Sequence, residues 1–297
     1  MRIRVIGAPM DLGADRRGVD IGASAIRYAG LNDQLRRLGY SVNDIGNIVV
    51  PQPESQPIGD PHVKYLEPIV RVSIELADVV TAALQDGEFP LVLGGDHSIA
   101  LGSITGVARV HRDIGVIWVD AHGDFNTHET TPSGNIHGMI LGALAGLGHP
   151  SLTGIGGWSP KINTRSIVIV GARDLDAREQ NLLHEQQVRV FTMMDIDRCG
   201  MSHIMEQAVE IASQASHGIH LSLDMDSLDP REAPGVGTPV RGGLTYREAH
   251  LAMEVIAASG HMVSMDAVEV NPILDRENAT AQLAVELILS ALGKRIF

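Results

Sequence analysis

Three short stretches of the chain place acidic and imidazole side chains at the ends of apolar runs. In VIWVDAHGDFNTH, residues 116 to 128, Asp120, His122 and Asp124 occupy every second position. LSLDMDSLD repeats the arrangement with Asp224 and Asp226, and LVLGGDHS brings in His97 after two glycines that permit a tight turn into a helix. Side chains at i, i+2 and i+4 of an extended chain share a face, so each stretch can aim its polar groups at one place. Taken alone, an aspartate after a strand is as often a turn or helix cap, and DxD or GGDH by itself says little. Together the stretches deliver four carboxylates and two imidazoles. Like charges held close raise one another's pKa values and resist joint ionisation, so this grouping calls for cations. Two divalent ions would balance the four carboxylates.

The donor set narrows the metal. Carboxylates with some imidazole and no thiolate suit harder ions, which favours Mn²⁺, while Co²⁺, Ni²⁺, Fe²⁺ and Zn²⁺ remain compatible with the spacing. Two such ions about 3.5 to 4 Å apart can share a water and lower its pKa, which implies hydrolysis of an unreactive electrophile. Glu269 ends a further apolar run, in AVEVNP. Its carboxylate would match a planar guanidinium through paired charge-assisted hydrogen bonds, the plain alternative being a strand-end charge facing water. His137 in SGNIHG reads locally as a turn histidine. The loop NTHETTPSGN offers hydroxyl and amide donors suited to a carboxylate, as polar loops often do without binding anything.

Bringing these groups together requires a sheet. Short β-branched runs alternate with longer amphipathic segments, the pattern of βα units feeding a mainly parallel sheet. Strands are predicted at 3–7, 90–95, 115–120, 166–172, 188–192, 218–224 and 262–270, and helices at 67–86, 98–110, 201–215, 245–258 and 276–292. The polar groups then fall at the carboxyl edge, where open α/β sheets bind ligands. VPQPESQPIGDPH, residues 50 to 62, reads as a Pro-rich loop because the same patterning continues on both sides of it, so residues 1–297 are expected to form a single domain.

With 44% apolar and 20% charged residues, the chain falls within ordinary globular usage. Its formal charge of −13 supplies no basic field for nucleic acid or an anionic membrane, and suits a small cationic substrate. The one cysteine, Cys199, can build neither a disulfide framework nor a thiolate zinc cage within a chain, which points to a reducing compartment. No run approaches the ~18 continuous apolar residues of a membrane span, and MRIRVIGAPMD is too short for a signal core, so a cytoplasmic location is expected. Dinucleotide fingerprints, P-loops and GxSxG elbows are missing as well.

In order and spacing, GGDHSIALGS, WVDAHGDFNT, SGNIHG, SLDMDSLDP, GTPVRGGLTYRE and VEVNP resemble the ureohydrolase superfamily and, within it, the arginase family. GAPMDLGADRRGVDIGASAIR adds to the likeness, which runs from near residue 5 to near residue 290. The resemblance implies a three-layer α/β/α fold with a mainly parallel sheet and two Mn²⁺ ions per subunit. Asp120 and Asp224 would bridge the ions, His97 and Asp124 would complete one shell, and His122 and Asp226 the other. A hydroxide between the ions would attack the guanidinium carbon of L-arginine, giving L-ornithine and urea.

By the same resemblance, Asp124 passes a proton to the departing amine, His137 shuttles protons with solvent, and Glu269 orients the guanidinium. Asn126, Thr131 and Ser133 would meet the substrate carboxylate, with Asn135 in the same loop. Asp176 would face the α-ammonium, with Glu179 a water-mediated helper and Thr238 a pocket residue. A homotrimer or homohexamer is implied. Ser227 stands where family members often carry Gly, and a modest effect on metal geometry is expected. Two alternatives stay open. An agmatinase or another guanidine hydrolase would use the same core without needing Asp176. A nonenzymatic metal-binding regulator would not need all six ligands intact, as they are here.

Overall fold

The structure is a computed structural model describing residues 1–295; residues 296 and 297, the end of the expected domain, lie outside the described residues. Eight strands form one sheet: β1 (Arg2–Ala8), β2 (Ser41–Asn47), β3 (Phe89–Gly94), β4 (Gly115–Val119), β5 (Ile167–Ala172), β6 (Arg189–Thr192), β7 (Ile219–Asp224) and β8 (Met262–Val268). Their order is β2-β1-β3-β8-β7-β4-β5-β6, and every neighbouring pair is parallel. A parallel sheet must be covered on both faces, so its inner strands read as continuous apolar runs. β3, β4, β5 and β7 accordingly bury every residue.

Alternate residues feed two separate cores. Leu91 and Leu93 of β3 and Ile117 and Val119 of β4 belong to one apolar cluster, while Val92, Val116 and Trp118 belong to the other. Helices Met201–Ala212, Tyr246–Ser259 and Ala279–Ala291 pack on the first side, and helices Leu66–Gln85 and Ala100–Val110 on the second. These are the three expected layers. In helix Leu66–Gln85 the buried residues Ile69, Val72, Leu76, Val80 and Ala83 recur at three- and four-residue steps, which forms one apolar stripe against the sheet. No helix among the described residues is long and apolar enough to cross a membrane.

The differences from expectation have local causes. Edge strand β2, SVNDIGN, has no apolar run and buries none of its seven residues, so periodicity gives no sign of it. Short helices at Gly22–Tyr28, Leu31–Arg37, Ala177–Glu185 and Met193–Cys199 span only seven to nine residues each and were not expected. The last helix begins at Ala279 rather than residue 276 because Glu277 and Asn278 are left-handed, at φ 52° and 63°.

This strand order places the carboxyl ends of β3, β8, β7 and β4 side by side at the centre of the sheet. The chain builds β3, crosses to β4 and later fills the gap with β7 and β8, which is the kind of switch point where such sheets bind ligands. His97, Asp120 and Glu269 follow the ends of β3, β4 and β8, and Asp224 is the last residue of β7.

Candidate metal centre

The alternation that the sequence suggested is not made by the strands themselves. β4 ends at Val119, so Asp120, His122 and Asp124 lie in the following loop, with Asp124 left-handed at φ 48°. Asp224 ends β7, and Asp226 sits in the 3₁₀ turn Met225–Ser227. Glu269 is also left-handed, at φ 64°. Such a backbone costs about 1 to 3 kcal/mol for a non-glycine residue and persists where its surroundings hold it. The Leu141 amide secures the Asp124 carbonyl, and the Glu269 amide donates to the Gly95 carbonyl. Gly95 is required here: a Cβ would stand 1.8 Å from the Met10 carbonyl oxygen. That close approach lets the chain turn from β3 into the 3₁₀ turn His97–Ile99.

All six expected ligands converge. His97 Nδ1 lies 3.1, 3.2 and 3.1 Å from oxygens of Asp120, Asp124 and Asp224. His122 Nδ1 lies 3.3 Å from Asp120 Oδ1 and 3.1 Å from Asp226 Oδ2. Two groups therefore form, His97–Asp120–Asp224 with Asp124 beside it, and Asp120–His122–Asp226. Asp120 belongs to both, offering Oδ2 to one imidazole and Oδ1 to the other. Asp224 falls in the His97 group alone, whereas the resemblance implies that it bridges.

The surroundings fix these groups for ligation. His97 Nε2 pairs with Ser222 Oγ at 2.7 Å, and its ring stacks on Trp118 with centroids 3.9 Å apart. A hydrogen bond of that kind sets which ring nitrogen keeps its lone pair. Nδ1 is left near three carboxylates yet without a hydrogen-bonded partner, in a side chain with no exposed surface. Trp118 Nε1 donates to Asp120 Oδ2, Thr238 Oγ1 donates to Asp226 Oδ2, and the Asp226 amide donates to Asp224 Oδ1. Ser227 Oγ donates to the Asp224 carbonyl at 2.6 Å, so the hydroxyl is engaged within the turn.

Charge is concentrated to the point of conflict. Burial, then Asp120, pushes Asp124 up to about 6, and burial with Asp226 and Asp120 raises Asp224 well above the carboxylate range. Burial opposes protonation of His97 and His122, but the surrounding carboxylates outweigh it and raise both. Asp120 is held below the usual range, its burial outweighed by His122 and His97. A buried, acceptor-rich cluster with an orphaned imidazole nitrogen fits divalent cations, whose charge relieves the repulsion between the carboxylates.

A cavity of about 170 Å³ opens beside this cluster. His122, Asp124 and Thr238 line one part, His137 and Asn126 another, and Thr131, Ser133, Asp176 and Glu179 complete the wall. Grooves of about 840 and 910 Å³ elsewhere on the surface hold none of the expected site residues. Asn126 Nδ2 donates to Asp176 Oδ2, and Glu179 accepts from the Phe125 and Asp176 amides, so its two oxygens are engaged. Burial, with Asp124 nearby, pushes Glu179 up to about 7.

Glu269 is buried and meets His137, which lines the cavity, while its Oε2 has no partner. Asn135 departs from expectation. Its amide donates to the Ala14 carbonyl and accepts from Lys64 Nζ, and it does not line the cavity. Asp174, which does, was not expected, although with Asp176 it repeats the spacing of two shortly after the apolar run of β5.

A model of the Arginase family matches residues 1–293. The arginase of Bacillus caldovelox is 51% identical over 295 residues, covering 99% of both chains, and that of Brevibacillus brevis is 52% identical over 292 residues, covering 98% of both. The solved native structure of the Bacillus caldovelox arginase at pH 5.6 superimposes with a TM-score of 0.97, covering 100% of this chain and 99% of that one.

Proposed function

The chain belongs to the arginase family and is a ureohydrolase, and from that premise we propose that it hydrolyses L-arginine to L-ornithine and urea with two Mn²⁺ ions. The observation that carries the reading is the membership of Asp120 in both imidazole–carboxylate groups, because a shared carboxylate is what a two-ion centre needs. His97, Asp124 and Asp224 would hold one ion and His122 and Asp226 the other, with Asp120 placed to serve both. Once bound, the ions would supply a water acidic enough to act as a nucleophile at neutral pH.

The remaining work falls to the protein. Glu269, with an unpartnered Oε2, orients the guanidinium. His137 sits between Glu269 and the cavity, at the place where a proton can pass to solvent. Asp124 passes a proton to the departing amine. Asp176, at the cavity wall, selects the α-ammonium, and the Asn126, Thr131 and Ser133 donors select the α-carboxylate. Thr238 acts through Asp226, which it hydrogen-bonds. Glu179 acts by fixing the Phe125 and Asp176 amides. The whole chain would work as one catalytic domain, in the cytoplasm and as a trimer or hexamer.

Metal analysis coupled to urea release from arginine and agmatine tests this. Two equivalents of Mn²⁺ and strong preference for arginine are expected. Equal or better turnover of agmatine would reassign the enzyme as an agmatinase, and metal uptake without turnover of any guanidine would support a binding protein instead.

A further inference from the structure

Arg173, at the end of β5, bonds five main-chain carbonyls through one guanidinium. Nη2 donates to Asp226 at 2.7 Å, Val240 at 2.8 Å and Leu228 at 3.1 Å. Nη1 donates to Ser227 at 3.0 Å and Gly171 at 3.2 Å, and Nε donates to Val240 at 3.3 Å. Three separate segments are joined by a half-buried cation: the end of β5, the turn bearing Asp226, and the strand-like stretch after Thr238. The last two also bond each other, the Leu244 amide to the Ser227 carbonyl and the Asp229 amide to the Leu244 carbonyl. Gly243 leaves room for the guanidinium, since a Cβ there would stand 2.5 Å from Nη2.

The last two segments share one feature: both hold Asp226. One carries it in the chain, and the other carries Thr238, whose hydroxyl bonds Asp226 Oδ2. The His97 group touches the same turn through Asp224, whose Oδ1 accepts from the Asp226 amide, but it also has supports of its own in Ser222, Trp118 and the Glu269 carboxylate that accepts from the His97 amide. From this asymmetry we propose that Arg173 is a positioning residue for the His122–Asp226 half of the centre far more than for the His97 half. Lysine cannot take its place: a planar fork with five donors can fan across carbonyls in different directions, whereas an ammonium is a compact charge with three donors.

This inference rests on the two-ion reading. The test uses the full-length chain, stripped of metal and titrated with Mn²⁺ against a competing chelator, with metal counted per chain and the electron spin resonance spectrum recorded. Arg173→Lys and Arg173→Gln are compared with Arg27→Lys, which removes a multiply bonded guanidinium far from the centre, held on edge strand β2 by the Asp44 carboxylate, the Asn47 side chain and the Gly46 carbonyl. In the Arg173 variants one of the two sites is expected to weaken tenfold or more while the other keeps its affinity. The coupled two-ion spectrum then gives way to that of isolated Mn²⁺ at concentrations where the wild type and Arg27→Lys hold both ions.

Loss of both sites in parallel, or of neither, would overturn the proposal. So would failure of both Arg173 variants to fold when Arg27→Lys folds, because Arg173 would then be a general strut. Fewer than two ions in the wild type would instead defeat the two-ion reading and this inference with it.

Discussion

Glu269 Oε1 lies 3.1 Å from His137 Nδ1, and the second carboxylate oxygen, though buried, has no hydrogen-bond partner. The same Oε1 accepts from the His97 amide, so one oxygen ties Glu269 to the metal cluster and to the cavity while the other is available. Burial opposes a charge on His137, but Glu269 overcomes it and raises the imidazole to about 9. A raised folded-state pKa gives stability that is fully present below the unfolded value of about 6.5 and is lost as pH rises through about 9.

Glu269→Gln replaces the carboxylate with an amide at nearly constant size. In the chelated protein, NMR titration of His137 is expected to show its pKa falling toward 6.5, and the decline in stability between about 6.5 and 9 should flatten. In the loaded enzyme, urea release should fall by roughly two orders of magnitude through lost orientation. An unmoved His137 titration would separate the two residues electrostatically and remove this account.

Chelation should abolish activity and also change the pH response of the fold. With no cation present, Asp124 and Asp224 have raised folded-state pKa values, so these groups bind more protons in the folded chain than in the unfolded one from the ordinary value of 3.8 upward, up to about 6 for Asp124. Stability must then fall as pH rises through that window. His97 and His122, also raised, extend the fall to higher pH. Restoring Mn²⁺ at about 100 times its Kd should return about 2.7 kcal/mol for each ion bound. Thermal melts of chelated protein from pH 4 to 8 check the slope, and a chelated chain that grows more stable across this range would contradict it.

The parts that could be read from the sequence are those with strong local signals. Seven strands and five helices announce themselves through apolar period, and the six candidate ligands through acidic or imidazole residues just after apolar runs. β2 was hidden because an edge strand needs no apolar run, its SVNDIGN being polar on both faces. The ligand geometry could be read only in part. Spacing by two suggested an extended strand, but convergence depends on Asp124 turning left-handed and Asp226 entering a 3₁₀ turn, both of which depend on distant packing. Arg173 carried no signal at all, because its partners are backbone carbonyls, which any sequence supplies.

Asp176 stands at the cavity wall with Oδ2 accepting from Asn126 Nδ2 at 3.0 Å. It belongs to neither imidazole–carboxylate group. Asp176→Lys places a cation where an α-ammonium is to bind, and like charges facing each other in a cavity cost several kcal/mol. KM for arginine is expected to rise at least a hundredfold while Mn²⁺ stoichiometry stays at two per chain. Metal and substrate affinity falling together would remove Asp176 from substrate recognition.

Beneath the centre, His220 and Asp266 form a pair with no contact with water. His220 Nε2 meets Asp266 Oδ2 at 3.0 Å, Nδ1 meets Ser264 Oγ at 2.8 Å, and Ser103 Oγ donates to the same carboxylate oxygen at 2.7 Å. Asp266 is the β8 partner in register with Ser222, whose hydroxyl holds His97. Asp266→Ala leaves an imidazole and a hydroxyl buried without their partner, and removing one member of a buried pair costs about 3 to 5 kcal/mol. Replacing both members by apolar groups of similar volume removes the orphaned imidazole, leaving only the Ser103 and Ser264 hydroxyls without this partner, and such exchanges are often neutral or stabilising. His220→Phe combined with Asp266→Leu should therefore recover at least about 2 kcal/mol of the loss in urea denaturation. If the double variant is as unstable as Asp266→Ala, the network supports the sheet through its specific geometry, and the desolvation account of this pair fails.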